Sequence, residues 1–239
     1  MNKLQQVYKA TDVGLVRKGN EDNFAVFDTV YAVADGMGGE AAGEVASQML
    51  VDTVQQALSG REHIDAGAMQ SAILAANDAI RDYVREHPGC EGMGTTATML
   101  HVDEGRGKAY WAHVGDSRLY LLRQGSGQLE QLTQDHSYVE DLVREGTITR
   151  EEAKNHPQRN MLTRAVGAME NLVVDTGELA VTNGDTLLLA TDGLMKHMTD
   201  EEIARQLCQG KDDPAHSLVE QALNAGGRDN VTVVVVSLV

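Results

Sequence analysis

Apolar residues along the chain follow two spacings, one typical of strands and one typical of helices. Short runs rich in Val, Leu, Thr and aromatic residues predict strands, since such side chains pack well on a pleated sheet. The runs lie at 5–11, 23–27, 30–34, 95–103, 108–115, 117–123, 128–132, 173–181, 186–190 and 231–238. The last is the longest apolar run of the chain, and we expect it to be a buried strand.

Two glycine-flanked segments separate strands in the middle of the chain. Gly105 to Gly107 and Gly125 to Gly127 each lie between strand-like runs, which is typical of hairpin loops. Four successive strands joined by short turns predict an antiparallel sheet over 95–132.

Helical spacing of apolar residues recurs in separate blocks. One block covers 43–58 and the next covers 69–80. We expect these two helices to cover one sheet.

Two further helix starts are marked by a capping box, in which Thr is followed three positions later by Glu. The pattern occurs at 149–152 and at 199–202. The second opens a helix at 200–208, and another helix follows at 214–225. Strands grouped apart from helices, without strict alternation, predict an α+β layered fold.

Composition limits the kinds of molecule that this chain can bind. Its 239 residues carry 20 basic and 36 acidic side chains, a net charge of −16 that repels nucleic-acid backbones and anionic lipid surfaces. No stretch approaches the ~20 apolar residues that span a bilayer. Cys90 and Cys208 form no CxxC pair. We therefore expect a cytoplasmic protein with reduced thiols that binds neither nucleic acid nor membrane.

No linker divides the chain. Its three prolines are scattered, and neither a Gly/Ser-rich tract nor an internal repeat separates two halves. We expect residues 1–239 to form a single domain.

Five aspartates stand beside Gly or Asn, far apart in the chain. They occur in the strings NEDN, ADGMGG, VGDSR, TDGL and GRDN, as Asp22, Asp35, Asp116, Asp192 and Asp229. Each pair alone is also typical of a turn, because Asp caps turns and Gly supplies positive φ. If the fold gathers them, five carboxylates repel one another unless a cation or retained protons neutralise them. A metal centre is therefore the first hypothesis.

The candidate ligands at these positions are all oxygen atoms. No CxxC, HExxH or clustered His and Cys spacing indicates zinc or iron, so Mg²⁺ or Mn²⁺ is the better match. Several carboxylates in one site can hold two such ions ~4 Å apart, which activates a water for attack on phosphorus. His113, beside VGDSR, is interpreted as a packed core residue.

A competing hypothesis comes from the glycine segment. GMGGEA at 36–41 lies between a predicted strand and a predicted helix and matches the loose dinucleotide pattern G-x-G-x-x-G/A. Asp35 would bring negative charge toward a pyrophosphate, and no second strand ending in an acid follows the helix. A carboxylate at a strand end followed by glycines suits a metal better, because glycine lets a carbonyl approach the ion.

Six strings together resemble a known family. TDVGLVRKGNEDN, VADGMGG, GTTA, HVGDSRLY, TDGL and GRDN occur in the order found in the metal-dependent Ser/Thr protein phosphatases of the PP2C (PPM) family. The chain resembles the compact bacterial members over nearly its whole length. The resemblance implies a four-layer α/β/β/α sandwich, in which helices flank two antiparallel sheets and the metals lie at one end.

The resemblance gives the acidic positions different roles. In the family, the residue matching Asp35 bridges two ions, and the carbonyl matching Gly36 supports one of them. Asp192 and Asp229 match the residues that complete this pair.

Three further acidic positions match outer parts of the family's site. Glu21 and Asp22 match an acidic pair that binds the metals directly or through water. Asp116 together with Asp192 matches the site of a third, weaker ion. The implied cofactors are therefore two to three Mn²⁺ or Mg²⁺ ions.

Arg17 matches the residue that binds the substrate phosphate in the family. A guanidinium suits this role, because it offers forked donors to two phosphate oxygens and stays charged. The implied reaction is hydrolysis of phosphoserine and phosphothreonine in proteins by a metal-activated water, without a covalent phosphoenzyme. Neither Cys90 nor Cys208 is followed by Arg six positions later, as a cysteine-dependent phosphatase requires.

One position departs from the family pattern. Members often carry a His in or just after the glycine string, proposed to protonate the leaving group, whereas this chain has Met37 and Glu40 there. An exposed glutamate is largely ionised at neutral pH, so we expect a metal-bound water to serve instead.

The polar segment 136–164 matches the family's flap beside the active site. We expect a mobile lid of helical pieces that influences substrate choice, with Ser137 and Arg164 near its hinges. A packed helical excursion without a substrate role is the alternative.

Two classes of function follow from these features. The resemblance implies an enzyme, a monomer that acts on phosphorylated proteins and opposes a bacterial Ser/Thr kinase. The alternative is a non-catalytic phosphoprotein-binding regulator, which the intact metal positions and Arg17 argue against.

Overall fold

The computed structural model describes residues 5–38 and 42–239. The strands within these ranges are β1 (Gln5–Asp12), β2 (Asp22–Phe27), β3 (Val30–Met37), β4 (Gly94–Thr95), β5 (Ala97–Asp103), β6 (Lys108–Val114), β7 (Arg118–Leu122), β8 (Leu129–Gln131), β9 (Asp175–Ala180), β10 (Thr186–Ala190) and β11 (Val231–Leu238). The helices there are α1 (Ala42–Leu58), α2 (Ala66–Glu86), α3 (Tyr138–Arg144), α4 (Arg150–Lys154), α5 (Asp192–Met195), α6 (Asp200–Cys208) and α7 (Pro214–Asn224).

The strands form two antiparallel sheets. The first has the order β1-β11-β10-β7-β8, and the second has the order β2-β3-β5-β6-β9, with β4 paired to β3. Neighbouring strands run antiparallel in both sheets. The predicted α+β sandwich of two antiparallel sheets is confirmed.

The prediction that the four strands over 95–132 form one sheet is wrong, because they are divided between the two sheets. β5 pairs with β6 in the second sheet, whereas β7 and β8 pair in the first. The chain crosses between the sheets at residues 115–117, where Gly115 has a φ of 109° and lies against Thr96 too closely for a Cβ. A short crossing and a hairpin turn have similar lengths and glycine content, so strand spacing alone does not distinguish them.

An apolar layer between the two sheets is built from alternate residues of their strands. Leu189 and Val234 of the first sheet pack in one buried cluster with Val33 and Leu100 of the second. Val235, the neighbour of Val234, packs into the helix layer on the opposite face. β11 is apolar at nearly every position because it is covered on both faces.

Helices cover the outer face of each sheet. α1 and α2 pack on the second sheet, as predicted, and α5, α6 and α7 pack on the first. Both predicted capping boxes form, with Thr149 opening α4 and Thr199 opening α6. None of the helices in the described ranges is both long and apolar enough to cross a bilayer.

One end of the sandwich collects the acidic residues. Asp22 begins β2 directly opposite Asp35, near the end of β3. Asp192 follows β10 in the first turn of α5, Asp229 lies just before β11, and Asp116 lies in the crossing between β6 and β7. The antiparallel order of the strands therefore brings loops from distant parts of the chain to the same edge.

Truncation of the buried layer tests this packing. Leu189→Ala should lower the free energy of unfolding by about 2–5 kcal/mol, because two packed sheets cannot close the resulting cavity. Leu15 is 69% exposed, so the matched control Leu15→Ala should change that free energy by less than ~1 kcal/mol. Urea denaturation followed by circular dichroism gives both values. Equal losses in the two variants would contradict the buried position of Leu189.

Candidate active site

Asp22 and Asp35 face each other across the β2–β3 pair. Asp22 Oδ2 accepts a hydrogen bond from Thr191 Oγ1 at 2.7 Å, whereas its buried Oδ1 has no hydrogen-bond partner among the described residues. Burial raises the pKa of Asp22 to about 7, against the lowering effect of the hydrogen bond from Thr191. A buried carboxylate oxygen without a partner is costly, so it marks a position where a cation would be stabilising.

Asp35 is held in place through its backbone. Its amide donates to Thr96 Oγ1 at 2.9 Å. Loss of solvation, followed by the charges of Asp22, Asp192 and Asp116, raises the pKa of Asp35 well above its usual value. This carboxyl group therefore needs additional positive charge nearby to be ionised at neutral pH.

Gly36 and Glu21 form the adjoining edge of the site. Gly36 N donates to Glu21 O at 3.1 Å, and a Cβ on Gly36 would collide with the carbonyl of Gly43 in α1. The amide of Glu21 donates to Asn230 Oδ1 at 2.9 Å, which ties the start of β2 to the start of β11. Burial raises the pKa of Glu21, although the charge of Arg17 lowers it.

Lys196 joins two of the predicted ligands. Its Nζ lies 2.5 Å from Asp192 Oδ2 and 2.6 Å from Asp229 Oδ2. Burial alone lowers the pKa of Lys196, but the two carboxylates hold it above its ordinary value. Arg17 Nε lies 2.8 Å from Asp229 Oδ1. Although desolvation raises the pKa of Asp229, Lys196 and Arg17 bring it below its usual value.

Asp192 is only partly engaged by these contacts. Its Oδ1 is buried and has no hydrogen-bond partner within residues 5–38 and 42–239, while Oδ2 binds Lys196. The cluster thus contains a second unpartnered carboxylate oxygen besides that of Asp22.

Asp116 lies near Asp192 and near the ion pair between Arg118 and Asp135. Arg118 binds Asp135 through three hydrogen bonds of 2.9, 3.1 and 2.7 Å. Loss of solvation, followed by Asp192 and Asp135, raises the pKa of Asp116 well above its usual value, while Lys196 and Arg118 lower it. Asp116 is therefore part of the same electrostatic cluster as Asp192.

The fold brings the seven predicted metal positions to one end of the sandwich, with Arg17 beside them. In the described ranges, however, no three His, Cys, Asp or Glu side chains already surround one point closely enough to hold an ion. Lys196 and Arg17 instead neutralise part of the carboxylate charge by direct contact.

Sequence reasoning missed three residues that shape this cluster. Lys196 was detectable, because it follows Asp192 by four positions, a spacing that puts two side chains on one helical face. Thr191 and Asn230 position Asp22 and Glu21 by hydrogen bonds. Both stand next to predicted ligands, but a lone Thr or Asn carries no specific chemical signal.

The interpretation of His113 as a core residue is confirmed. The side chain is fully buried, with Nδ1 at 2.9 Å from Thr98 Oγ1 and Nε2 at 3.0 Å from Gln134 O. Burial, followed by the neighbouring His136, lowers the pKa of His113 to about 4. The ring is therefore neutral at neutral pH and belongs to the support of the site.

Residues of the segment 136–164 and of α5 both line a cleft of about 620 Å³. The helices of the segment, α3 and α4, contain no buried residue. Ser137 pairs with Leu162 in an isolated bridge, and Arg164 Nη1 lies 2.8 Å from Asp175. The base of the segment is thus tied to the sandwich, while its mobility stays a prediction.

Of the two positions that depart from the family pattern, the structure describes one, Met37. Met37 is the last residue of β3 and pairs with Gly94 of β4. Glu40 lies outside the described residues, together with 39 and 41 of the glycine segment.

Comparisons with known proteins agree on one family. The sequence profile of protein phosphatase 2C matches residues 18–228. The Ser/Thr protein phosphatase PstP of Mycobacterium tuberculosis is 43% identical over 231 residues, which cover 96% of this chain and 44% of PstP. The Ser/Thr phosphatase stp of Listeria innocua is 38% identical over 239 residues, which cover 95% of this chain and 93% of stp.

A solved structure agrees with this assignment. The catalytic domain of PstP in complex with two manganese ions has a TM-score of 0.89 to this structure at 39% identity, with 98% of both chains covered. The chain therefore spans less than half of the length of the PstP sequence but nearly all of its catalytic domain. From its sequence, its motifs and its fold, this chain belongs to the protein phosphatase 2C family.

Proposed function

We propose that this protein hydrolyses phosphoserine and phosphothreonine in other proteins and uses divalent metal ions as cofactors. Family membership supports the reaction class, since the relatives described above are named Ser/Thr phosphatases. The observation that carries the proposal is the acidic cluster with two buried, unpartnered oxygens, Asp22 Oδ1 and Asp192 Oδ1.

The chemistry of the cluster suits a hard divalent cation. Its donors are carboxylate and carbonyl oxygens, the ligands that Mg²⁺ and Mn²⁺ prefer. Burial and mutual repulsion raise the pKa values of Asp22, Asp35 and Asp116, so ionising all three requires compensating positive charge. Lys196 supplies one such charge, which is less than the cluster needs.

The proposed ligands follow from the family positions. Two ions would be held by Asp35, the carbonyl of Gly36, Asp192, Asp229, Asp22 and Glu21, the last directly or through water. A third, weaker ion would be held by Asp116 together with Asp192. Bound ions would neutralise phosphate charge and activate a water for attack on phosphorus. The two manganese ions in the PstP structure support Mn²⁺ as the resident ion.

Arg17 would bind the substrate phosphate at the mouth of the site. Its side chain is half exposed, and its Nε contacts Asp229 Oδ1 at 2.8 Å. That contact leaves the forked Nη groups to donate to phosphate oxygens. Asp229 would therefore act twice, as a metal ligand and as the group that orients Arg17.

The leaving serine or threonine oxygen must gain a proton. Met37 cannot supply one, and both ring nitrogens of His113 have protein partners. We therefore assign the proton to a water molecule at the cluster.

The flap at 136–164 would contact the substrate protein. Its five acidic and five basic side chains cancel in charge. Three of the basic ones line the cleft, Arg150, Lys154 and Arg159, whereas Glu140 is the one acidic side chain of this fully described segment that does so. Arg150 is paired with Glu140 and Lys154 with Glu151, whereas Arg159 forms no ion pair within the described residues. In a chain of net charge −16, Arg159 is therefore the cleft-lining cation of the flap best placed to bind an anionic phosphorylated segment.

The wider setting of the enzyme rests on the family resemblance. Residues 1–239 would act as one phosphatase domain, and the protein would be a cytoplasmic monomer opposing a cognate Ser/Thr kinase. The alternative of a non-catalytic phosphoprotein-binding regulator is less well supported, because the proposed ligands and Arg17 are all present.

Removal of metal or of a ligand tests the reaction. Phosphate release from p-nitrophenyl phosphate and from a phosphothreonine peptide should require Mn²⁺ or Mg²⁺ and stop in EDTA. Asp35→Asn and Asp192→Asn should each lower kcat/KM by about 100-fold or more, because loss of a ligand should cost at least as much as loss of an outer-shell partner that orients a ligand. Asp52→Asn, on the exposed side of α1, is the matched control and should retain activity. Turnover without metal would falsify the proposal, and peptide binding without hydrolysis would favour the regulator.

Loss of the guanidinium tests phosphate binding. Arg17→Gln should lower kcat/KM for the phosphothreonine peptide by about 10- to 100-fold, the effect of losing a hydrogen bond to a charged group. Lys18→Gln removes the same charge from the neighbouring exposed residue and should have little effect. An equal loss of kcat/KM in the two variants would show that general electrostatic attraction, rather than specific hydrogen bonds to the phosphate, accounts for the role of Arg17.

The raised pKa of Asp22 gives a pH-dependent effect on stability. Its pKa rises from 3.8 to about 7 on folding, so the folded protein retains this proton longer than the unfolded chain does. The stability linked to this carboxyl group is therefore present below pH 3.8 and is lost as the pH rises to 7. In EDTA, Asp22→Asn should stabilise the protein more at pH 8 than at pH 5.

Urea denaturation of both proteins measures this difference. The titration of histidines is the same in the wild type and the variant, so its effect cancels in the difference between their free energies of unfolding. Saturating Mn²⁺ should reverse the order, because the ionised carboxylate then gains a cation that the amide cannot bind as well. A difference that does not change with pH would contradict the raised pKa.

A further inference from the structure

Lys196 occupies oxygens that the proposed metal ions would use. Its Nζ lies 2.5 Å from Asp192 Oδ2 and 2.6 Å from Asp229 Oδ2, so one ammonium group joins two proposed ligands. The root of the side chain is fixed, because the amide of Lys196 donates to the carbonyl of Asp192 at 2.9 Å. Its charge also reaches Asp35 and Asp116, whose pKa values it lowers.

The two carboxylates differ in what they can still offer a metal ion. Asp192 has its buried Oδ1, which has no partner in the described part of the chain. Both oxygens of Asp229 are engaged. Oδ2 binds Lys196, and Oδ1 accepts from Arg17 Nε at 2.8 Å and from the amide of Asn230 at 3.0 Å. An ion that binds Asp229 must therefore share or displace one of these contacts.

Lys196 is the cation that competes with a metal ion for Asp192 and Asp229. It lies between two proposed ligands, where a unit positive charge strongly repels a divalent ion. Arg17 is the more exposed of the two cations and contacts one proposed ligand. Lys196 also lines the 620 Å³ cleft, so its flexible side chain has room to turn away from the two carboxylates.

We propose that Lys196 is an internal counter-cation that holds Asp192 and Asp229 together in the absence of metal, and that a divalent ion displaces its ammonium group on binding. The inference rests on the proposed function only in taking these two carboxylates as metal ligands. Lys196 then lowers the affinity for the ion while keeping the site folded when metal is scarce. Activity would consequently respond to the supply of divalent ions.

Lys196→Met tests this inference, because it keeps most of the side-chain length and removes the charge. Calorimetric titration of EDTA-treated, dialysed protein with Mn²⁺ should show about tenfold tighter binding in the variant, since no ammonium group competes for Asp229. In EDTA the variant should unfold at a lower urea concentration than the wild type, because the two carboxylates lose their counter-charge.

Lys108→Met is the matched control. Lys108 forms a 2.8 Å ion pair with Glu178 at the end of β6 opposite to His113 and the acidic cluster. Its removal changes the net charge equally and should leave Mn²⁺ affinity unchanged.

A second route covers the case in which Lys196→Met does not fold without metal. The variant is purified with Mn²⁺, and the ion is then competed off with graded EDTA. The variant should retain Mn²⁺ at about tenfold higher EDTA than the wild type does. Unchanged or weaker Mn²⁺ binding by either route overturns the inference.

Hydrolysis of p-nitrophenyl phosphate separates this outcome from failure of the proposed function. Wild-type protein that binds Mn²⁺ with Lys196-dependent affinity but hydrolyses nothing refutes the phosphatase proposal and leaves the counter-cation inference standing. Normal hydrolysis with unchanged affinity in Lys196→Met refutes the inference alone.

Discussion

Repulsion among closely placed carboxylates is the interaction on which the site depends. Asp22, Asp35 and Asp116 all have raised pKa values, because burial and their neighbours disfavour the charged form. Such a cluster can persist only if the surrounding fold is stable enough to hold it and if positive charge enters it. Lys196 and Arg17 are positive charges that this chain itself supplies, and metal ions are the charge that the proposed reaction requires.

The two packed sheets provide the necessary stability. A dry layer that includes Leu189 and Val234 separates them, and the strands that carry the acidic residues are covered by helices on their outer faces. Hydrogen bonds then cross between the sheets near the cluster, from Thr191 to Asp22 and from Glu21 to Asn230. The acidic positions are therefore held by packing and hydrogen bonds, whereas the helices of the flap contain no buried residue and are tied to the sandwich at their base.

The distribution of charge is as informative as its total. The chain is strongly acidic overall, yet Arg17 and Lys196 lie at the carboxylate cluster. Of the charged flap side chains that line the cleft, three are basic and one is acidic. A net charge of −16 disfavours nonspecific attraction to polyanions, so the proposed recognition of a phosphorylated segment would come from local cations. A neutral His113 beneath the site adds support without adding charge.

The sequence alone determined most strands, the bounds of α1, α6 and α7 to within one residue, and the set of acidic positions, because periodicity, capping boxes and Asp-Gly strings are local features. The ordered strings also indicated the family, which the comparisons confirm. Tertiary structure alone decided that the chain changes sheets after β6 and that Lys196 contacts Asp229 as well as Asp192. Both depend on contacts between residues far apart in the chain, whose energies come from packing and charge in three dimensions and leave no local pattern.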